Sequence, residues 1–231
     1  MKFSLLKCFF LFWIKIKLFV FEKLTFFHLK TRYDNDRFFK VVDTLLLEMY
    51  RKDSPYRLSR NYLKAKGEKQ VYVYGETPRY VFEKIFSRWG PFRGEMFVDL
   101  GSGTGRALFM GALMFSGRYL GIEQIPQFVE KALQLRRRYS LKGVEFIEGD
   151  YKKISLAQGD LFYYFCLCES DEDVRNMCDK FAVECKKKAR WITVSFPLSD
   201  IDERFTVKDK IKGIFPWGKS FLYLNALKKE E

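Results

Sequence analysis

Histidine is nearly missing: the chain has one in 231 residues. That leaves no basis for a His-built metal site, and no metal centre is expected. Cysteine is sparse and odd in number, five in all, so a complete disulfide framework does not follow and a reducing compartment does. Six Pro and 15 Gly are too few for collagen-like or Pro-rich low complexity. No internal repeat is visible. The apolar N-terminus also lacks a long uninterrupted run. Residues 8–14 form a charge-free stretch of seven between Lys7 and Lys15, whereas a spanning helix needs roughly 20. Widening the stretch to residues 3–21 takes in Lys7, Lys15 and Lys17, each costing about 2.5–3.5 kcal/mol near a bilayer centre. No small-residue cleavage site of a signal peptide follows.

What is present is a chain 48% hydrophobic and 31% charged, able to bury a sizeable core. Aromatic residues reach 18%, with 25 Phe and 13 Tyr. The net charge is +13. It is concentrated in residues 1–70, which hold sixteen basic and seven acidic side chains. A uniformly basic domain would point to nucleic acid. A basic, aromatic arm on a nearly balanced domain suits an anionic membrane surface, reached through residues 1–30, at least as well. The expected location is cytoplasmic, peripheral at a membrane, and the alternative for the arm is that it covers its own domain. The chain divides into an N-terminal helical arm and linker (1–70) and a main domain (71–231).

Within the arm, residues 37–52 carry apolar side chains at helical spacing, and 53–70 is polar and basic, the composition of a linker. In the main domain, Thr77-Pro78 resembles a helix start, hydroxyl at the N-cap and proline after it, with the helix running to Trp89. Short apolar strands are expected at 96–100, 119–123, 144–148, 161–166 and 191–196. Helices are expected at 106–115, 126–139 and 171–186. The alternation implies an α/β fold, a Rossmann-like parallel sheet with helices on both faces. Residues 205–211 and 220–227, with no helix between them, should pair antiparallel.

The most informative stretch is Met96-Phe-Val-Asp-Leu-Gly-Ser-Gly-Thr-Gly-Arg106. A buried strand runs into Asp99, then into Gly101, Ser102, Gly103 and Gly105, and a helix follows. Glycines there allow a tight turn and let a ligand touch backbone, at the carboxyl end of the first strand where such sheets bind ligands. The dinucleotide fingerprint G-x-G-x-x-G fails, because its third glycine would fall at Arg106. A loop preceded by an acid suits a cofactor without a pyrophosphate but with an ammonium. S-adenosylmethionine (SAM) has both properties. Glu123 ends the second strand, where a carboxylate can accept both ribose hydroxyls. Asp150 follows the third, within reach of an adenine amino group.

Residues 98–106, Glu123 and Gly149-Asp150 resemble the motifs of class I, seven-strand SAM-dependent methyltransferases. The resemblance covers about residues 71–227 and implies strand order 3-2-1-4-5-7-6 with the seventh strand antiparallel. Val73-Tyr-Gly-Glu-Thr77 resembles the segment that closes over the cofactor in disruptor-of-telomeric-silencing lysine methyltransferases, which makes Tyr74, Glu76 and Thr77 cofactor-site candidates. The domain is also similar to the membrane-associated lysine methyltransferases of the ATP synthase c-subunit, which end their fifth strand much as Ser195-Phe-Pro197 does here. After the fourth strand it departs from the histone enzymes, with Phe165-Cys-Leu-Cys-Glu-Ser170, and it lacks the Asn/Asp-Pro-Pro-aromatic signature of nucleobase-amine enzymes. The resemblance implies methyl transfer to a protein lysine, with a protein as substrate and nucleic acid disfavoured. RNA or a small molecule is the alternative acceptor, and a non-catalytic membrane or partner adaptor the alternative role. Glu76 and Glu169 are the candidates for a base. Cys166, Cys168, Cys178 and Cys185 are expected to be buried thiols, and the Arg136–138 and Lys186–188 runs to be solvated helix ends.

Overall fold

The computed structural model describes residues 13, 16, 20, 23–32, 40, 41, 44–71, 73–166, 169–215 and 218–228. Seven strands form one sheet in the order β3-β2-β1-β4-β5-β7-β6. The strands are β1 (Met96–Leu100), β2 (Arg118–Glu123), β3 (Val144–Glu148), β4 (Leu161–Tyr164), β5 (Arg190–Val194), β6 (Phe205–Phe215) and β7 (Gly218–Leu227). The pairs among β1 to β5 are parallel, and β7 runs antiparallel to both β5 and β6. The order and the antiparallel ending are as expected from the sequence.

The helices are α1 (Pro55–Ala65), α2 (Arg79–Trp89), α3 (Arg106–Met114), α4 (Pro126–Arg138) and α5 (Asp171–Glu184). The period-2 alternation of the strands divides the core between the two sheet faces. Phe97, Tyr119, Tyr163 and Ile192 pack with α2, α3 and α4, whereas Val98, Ile122, Phe162 and Trp191 pack with α5. On the second face Trp191 stacks at 5.9 Å on Phe162, with Phe181 and Phe205 at 5.4 and 5.3 Å. Buried Asn225 is satisfied across strands: its Oδ1 accepts from Leu198 N at 2.9 Å and its Nδ2 donates to Thr193 Oγ1 at 3.0 Å.

Several boundaries differ from the sequence expectation. Residues 53–70 are not a linker but contain α1, started by Ser54, whose hydroxyl accepts from Arg57 N, and by Pro55 in the first turn. Of the helix expected at 37–52, residues 40 and 41 are helical and Thr44–Met49 is a π-turn, while 33–39, 42 and 43 lie outside the described residues. Thr77 does not cap α2: Pro78 holds the N-cap position, without a side-chain cap. β4 ends at Tyr164, two residues early. β6 and β7 extend into the stretch expected as a loop, to Phe215 and from Gly218. Most of residues 1–22 lies outside the described residues. No helix among the described residues is long and apolar enough to cross a membrane.

The other sequence features settle simply. Cys166 and Cys178 are buried free thiols, and burial pushes both up to about 12, whereas Cys185 is only partly buried and Cys168 lies outside the described residues. Arg136, Arg137 and Arg138 close the last turn of α4, and Arg138 pairs with Glu48 at 2.5 Å. Lys186 pairs with Asp160 at 2.6 Å.

Candidate cofactor cleft

A cavity of about 760 Å³ opens at the carboxyl ends of β1 to β4. Nine of the ten cofactor candidates line it: Tyr74, Glu76, Thr77, Asp99, Gly101, Ser102, Gly103, Glu123 and Asp150. Glu169 lines it as well. Gly105 does not. Its φ of +75° opens α3, and a Cβ there would sit 2.6 Å from the Phe146 ring. Glycine at this position serves the packing of the helix start on β3.

The loop is tied down from below. Gly101 N and Ser102 N both donate to Ile122 O, at 2.9 and 3.1 Å. The buried Glu123 carboxylate accepts from Gly103 N at 2.8 Å and from Ile125 N at 2.9 Å. Burial raises the pKa of Glu123, and the backbone donors hold that rise back. Asp99 is buried too, and its carboxylate has no hydrogen-bond partner among the described residues. Burial, then the charge of Glu123, push its carboxyl up to about 7. The Ser102 hydroxyl is buried without a partner among the described residues. That hydroxyl is turned onto Gly121 of β2, beneath the loop, whereas the unpaired Asp99 carboxylate beside the glycine turn fits a ligand that brings its own cation.

The segment ahead of α2 closes the cleft from above. Tyr74 donates to Glu76 Oε1 at 2.8 Å, Thr104 Oγ1 reaches the same oxygen at 3.3 Å, and Arg106 pairs with Glu76 Oε2 at 3.2 Å. Arg106 also donates to Thr77 O at 3.0 Å. The Tyr74 ring lies over Gly103 so closely that a Cβ there would be 3.1 Å from it. Thr77 Oγ1 meets Tyr163 OH at 2.5 Å, which is why the hydroxyl is not free to cap α2. At the outer edge Glu169 accepts from the Tyr151 and Tyr164 hydroxyls and lies 3.6 Å from Lys152. Burial, then the charge of Glu169, keep both tyrosines far above their ordinary pKa, so they remain neutral donors.

Sequence reasoning missed one wall. Ser59 and Leu63 of α1 and residues 67–70 line the cleft, and Tyr62 donates to Gln124 O at 2.9 Å. The signal was the Ser54-Pro55 helix start. Tyr151, Lys152, Phe165 and Asp173 also line the cleft.

Residues 92–176 match the family model described as a methyltransferase domain. A curated relative is a "probable cobalt-precorrin-6B C(15)-methyltransferase (decarboxylating)" of Sulfolobus acidocaldarius, 35% identical over 65 residues, 27% of this chain. The match spans about a third (34%) of that protein's length. Among solved structures, an RNA methyltransferase of Salinibacter ruber in complex with S-adenosyl-L-homocysteine superposes with a TM-score of 0.56. It is 20% identical, over 68% of this chain and 95% of that one. A SAM-dependent methyltransferase of Aquifex aeolicus gives 0.52 at 18% identity, over 63% and 89%. The fold is that of the class I methyltransferases. In it, the cleft described above lies where β1 runs into the glycine loop and β2 ends in Glu123.

Proposed function

We propose that this protein is a SAM-dependent methyltransferase whose acceptor is a protein lysine amine. The observation that carries the reading is the charge of the cleft. Seven carboxylate side chains line it against three basic ones, in a chain whose net charge is +13. Asp99, Glu123 and Glu76 lie inside; Glu68, Asp150, Glu169 and Asp173 lie further out. Such a mouth attracts cations and repels a polyanionic backbone. SAM, when bound, supplies the activated methyl group. In this reading Glu123 takes the ribose hydroxyls, Asp99 the ammonium and Asp150 the adenine amine. Tyr74 and Glu76, locked to Arg106, exclude water.

A lysine has a reference pKa of about 10.4 and must first give up a proton to solvent water; its lone pair then forms the N–C bond as the S–CH3 bond breaks and S-adenosylhomocysteine leaves. The aromatic lining of Tyr74, Tyr163 and Phe165 disfavours the charged form. Glu169, fixed by two tyrosines, holds the incoming amine and orients it. A small-molecule acceptor is the second reading, supported by the similarity to the precorrin enzyme.

The test is incubation of lysate, pre-treated with RNase or protease, with the enzyme and methyl-deuterated SAM. Label is expected on lysine Nε, abolished by protease and indifferent to RNase. Label confined to RNA or to small molecules would refute the lysine reading. In parallel, Glu169→Gln is expected to lower kcat more than tenfold while SAM affinity stays within about threefold.

A further inference from the structure

The cleft already holds an ammonium group, and it belongs to this chain. Lys152 donates to Asp173 Oδ1 at 2.8 Å, and its Nζ lies 3.6 Å from Glu169 Oε2. All three side chains line the cleft. The backbone that carries the lysine is anchored, since Lys152 N donates to Asp150 Oδ1 at 2.9 Å. Asp173 is anchored as well: Ser170, at the N-cap of α5, donates from its hydroxyl to Asp173 Oδ2 at 2.7 Å. Partial burial opposes the charge of Lys152. The hydrogen bond to Asp173 and the charges of Glu169, Asp173 and Asp150 outweigh it, so its pKa lies above the ordinary value.

A clasp between the loops does not need this lysine. The neighbouring Tyr151 hydroxyl already ties the β3 loop to Glu169. The Lys152 side chain is also 38% exposed, and an ion pair so placed adds little to stability. What the contact does is fill the carboxylates at the mouth with a cation on a flexible stem.

We propose that Lys152 is a specificity-determining residue, a tethered ammonium that occupies the acceptor carboxylates until a lysine on a docked polypeptide displaces it. This rests on the reading of Glu169 as the group that holds the incoming amine. A group on a short flexible tether acts at an effective concentration on the order of millimolar. A free alkylamine present below that level is a poor competitor. A lysine on a protein docked at the mouth is itself delivered at a comparable effective concentration, and so exchanges with Lys152. The apparent affinity for any amine falls by the fraction of time the carboxylates stand open. Free amines are thereby kept from consuming SAM, while a docked protein still reaches the site.

The test is the initial rate of S-adenosylhomocysteine formation by the full-length protein, with n-butylamine as the bare alkylamine and RNase-treated lysate protein as the macromolecular acceptor. Each turnover moves one methyl group from sulfur to nitrogen and releases one proton to water. Lys152→Met is expected to lower KM for butylamine about tenfold, with kcat within about twofold. Lysine labelling in dilute lysate should rise by a similar factor. Lys152→Arg should keep the wild-type values, and Lys152→Gln repeats the measurement with a polar neutral side chain should Met lower the melting temperature. An unchanged or raised KM in the neutral variants would overturn the proposal and leave Lys152 a clasp. A fall in KM shared by Lys152→Arg would overturn it too. Wild-type protein that labels no lysine would refute the lysine reading, and this inference with it; lysine labelling with no gain in the neutral variants would refute this inference alone.

Discussion

Asp99 is the residue whose charge should respond most to solution pH. Its carboxyl titrates near 7 in the folded protein, against 3.8 ordinarily. The folded state therefore holds an extra proton between about pH 4 and pH 7, and this group makes the ligand-free protein less stable as pH rises through that window. A cationic ligand reverses the preference by favouring the carboxylate. SAM affinity should rise severalfold from pH 6 to pH 8, with proton release visible as a buffer-dependent calorimetric enthalpy, and Asp99→Asn should flatten the profile. A wild-type affinity indifferent to pH would argue against contact between Asp99 and the ammonium. Glu123 acts on a different footing, since its oxygens already hold two backbone N–H groups. Glu123→Ala leaves both buried donors unmet, at about 1–3 kcal/mol each. Calorimetry should show at least a tenfold loss of SAM affinity, accompanied by a lower melting temperature.

Among the elements, β1, β2 and β3 were legible within a residue because each is a short apolar run bounded by turn residues. α1 was not. Its five polar side chains match its five apolar ones, and only Ser59 and Leu63 are buried, so the basic composition of residues 53–70 outweighs a helical periodicity that is present. The Thr77 hydroxyl misled for a different reason: a partner 86 residues away, Tyr163, outcompetes the local cap. The acids at the strand ends were legible because each ends or follows a strand in one parallel sheet. The α1 wall depends on a docking that no local pattern encodes. That docking carries a prediction. Tyr62→Phe removes the hydroxyl that ties α1 to Gln124 O, and should raise the SAM dissociation rate severalfold while costing only about 1 kcal/mol of stability. Stopped-flow release kinetics alongside thermal unfolding would check this; an unchanged release rate would mean that α1 does not gate the cleft.

For the whole molecule, the cleft joins distant parts of the chain: α1, the 73–77 segment, the glycine loop and the loops after β2, β3 and β4. A ligand seated there couples the N-terminal half to the sheet. At a hundredfold excess over Kd, SAM should stabilise the protein by about 2.7 kcal/mol, roughly 5–10 °C for a chain of this size. Hydrogen exchange should show added protection over residues 55–77 as well as 99–105. Protection confined to the glycine loop would separate the arm from the binding event.

The tied-down glycine loop has a consequence for life among other metabolites. Its amides at 101, 102, 103 and 105 are already committed to Ile122 O, Glu123 and Ser102 O. A phosphoryl group needs unsatisfied backbone donors, and it would find these spent, with a carboxylate beneath them. ATP and the nicotinamide dinucleotides share adenosine with the methyl donor but arrive with that burden of charge. They should therefore be poor competitors even when abundant, which would leave the enzyme tuned to methyl supply and deaf to the cell's energy state.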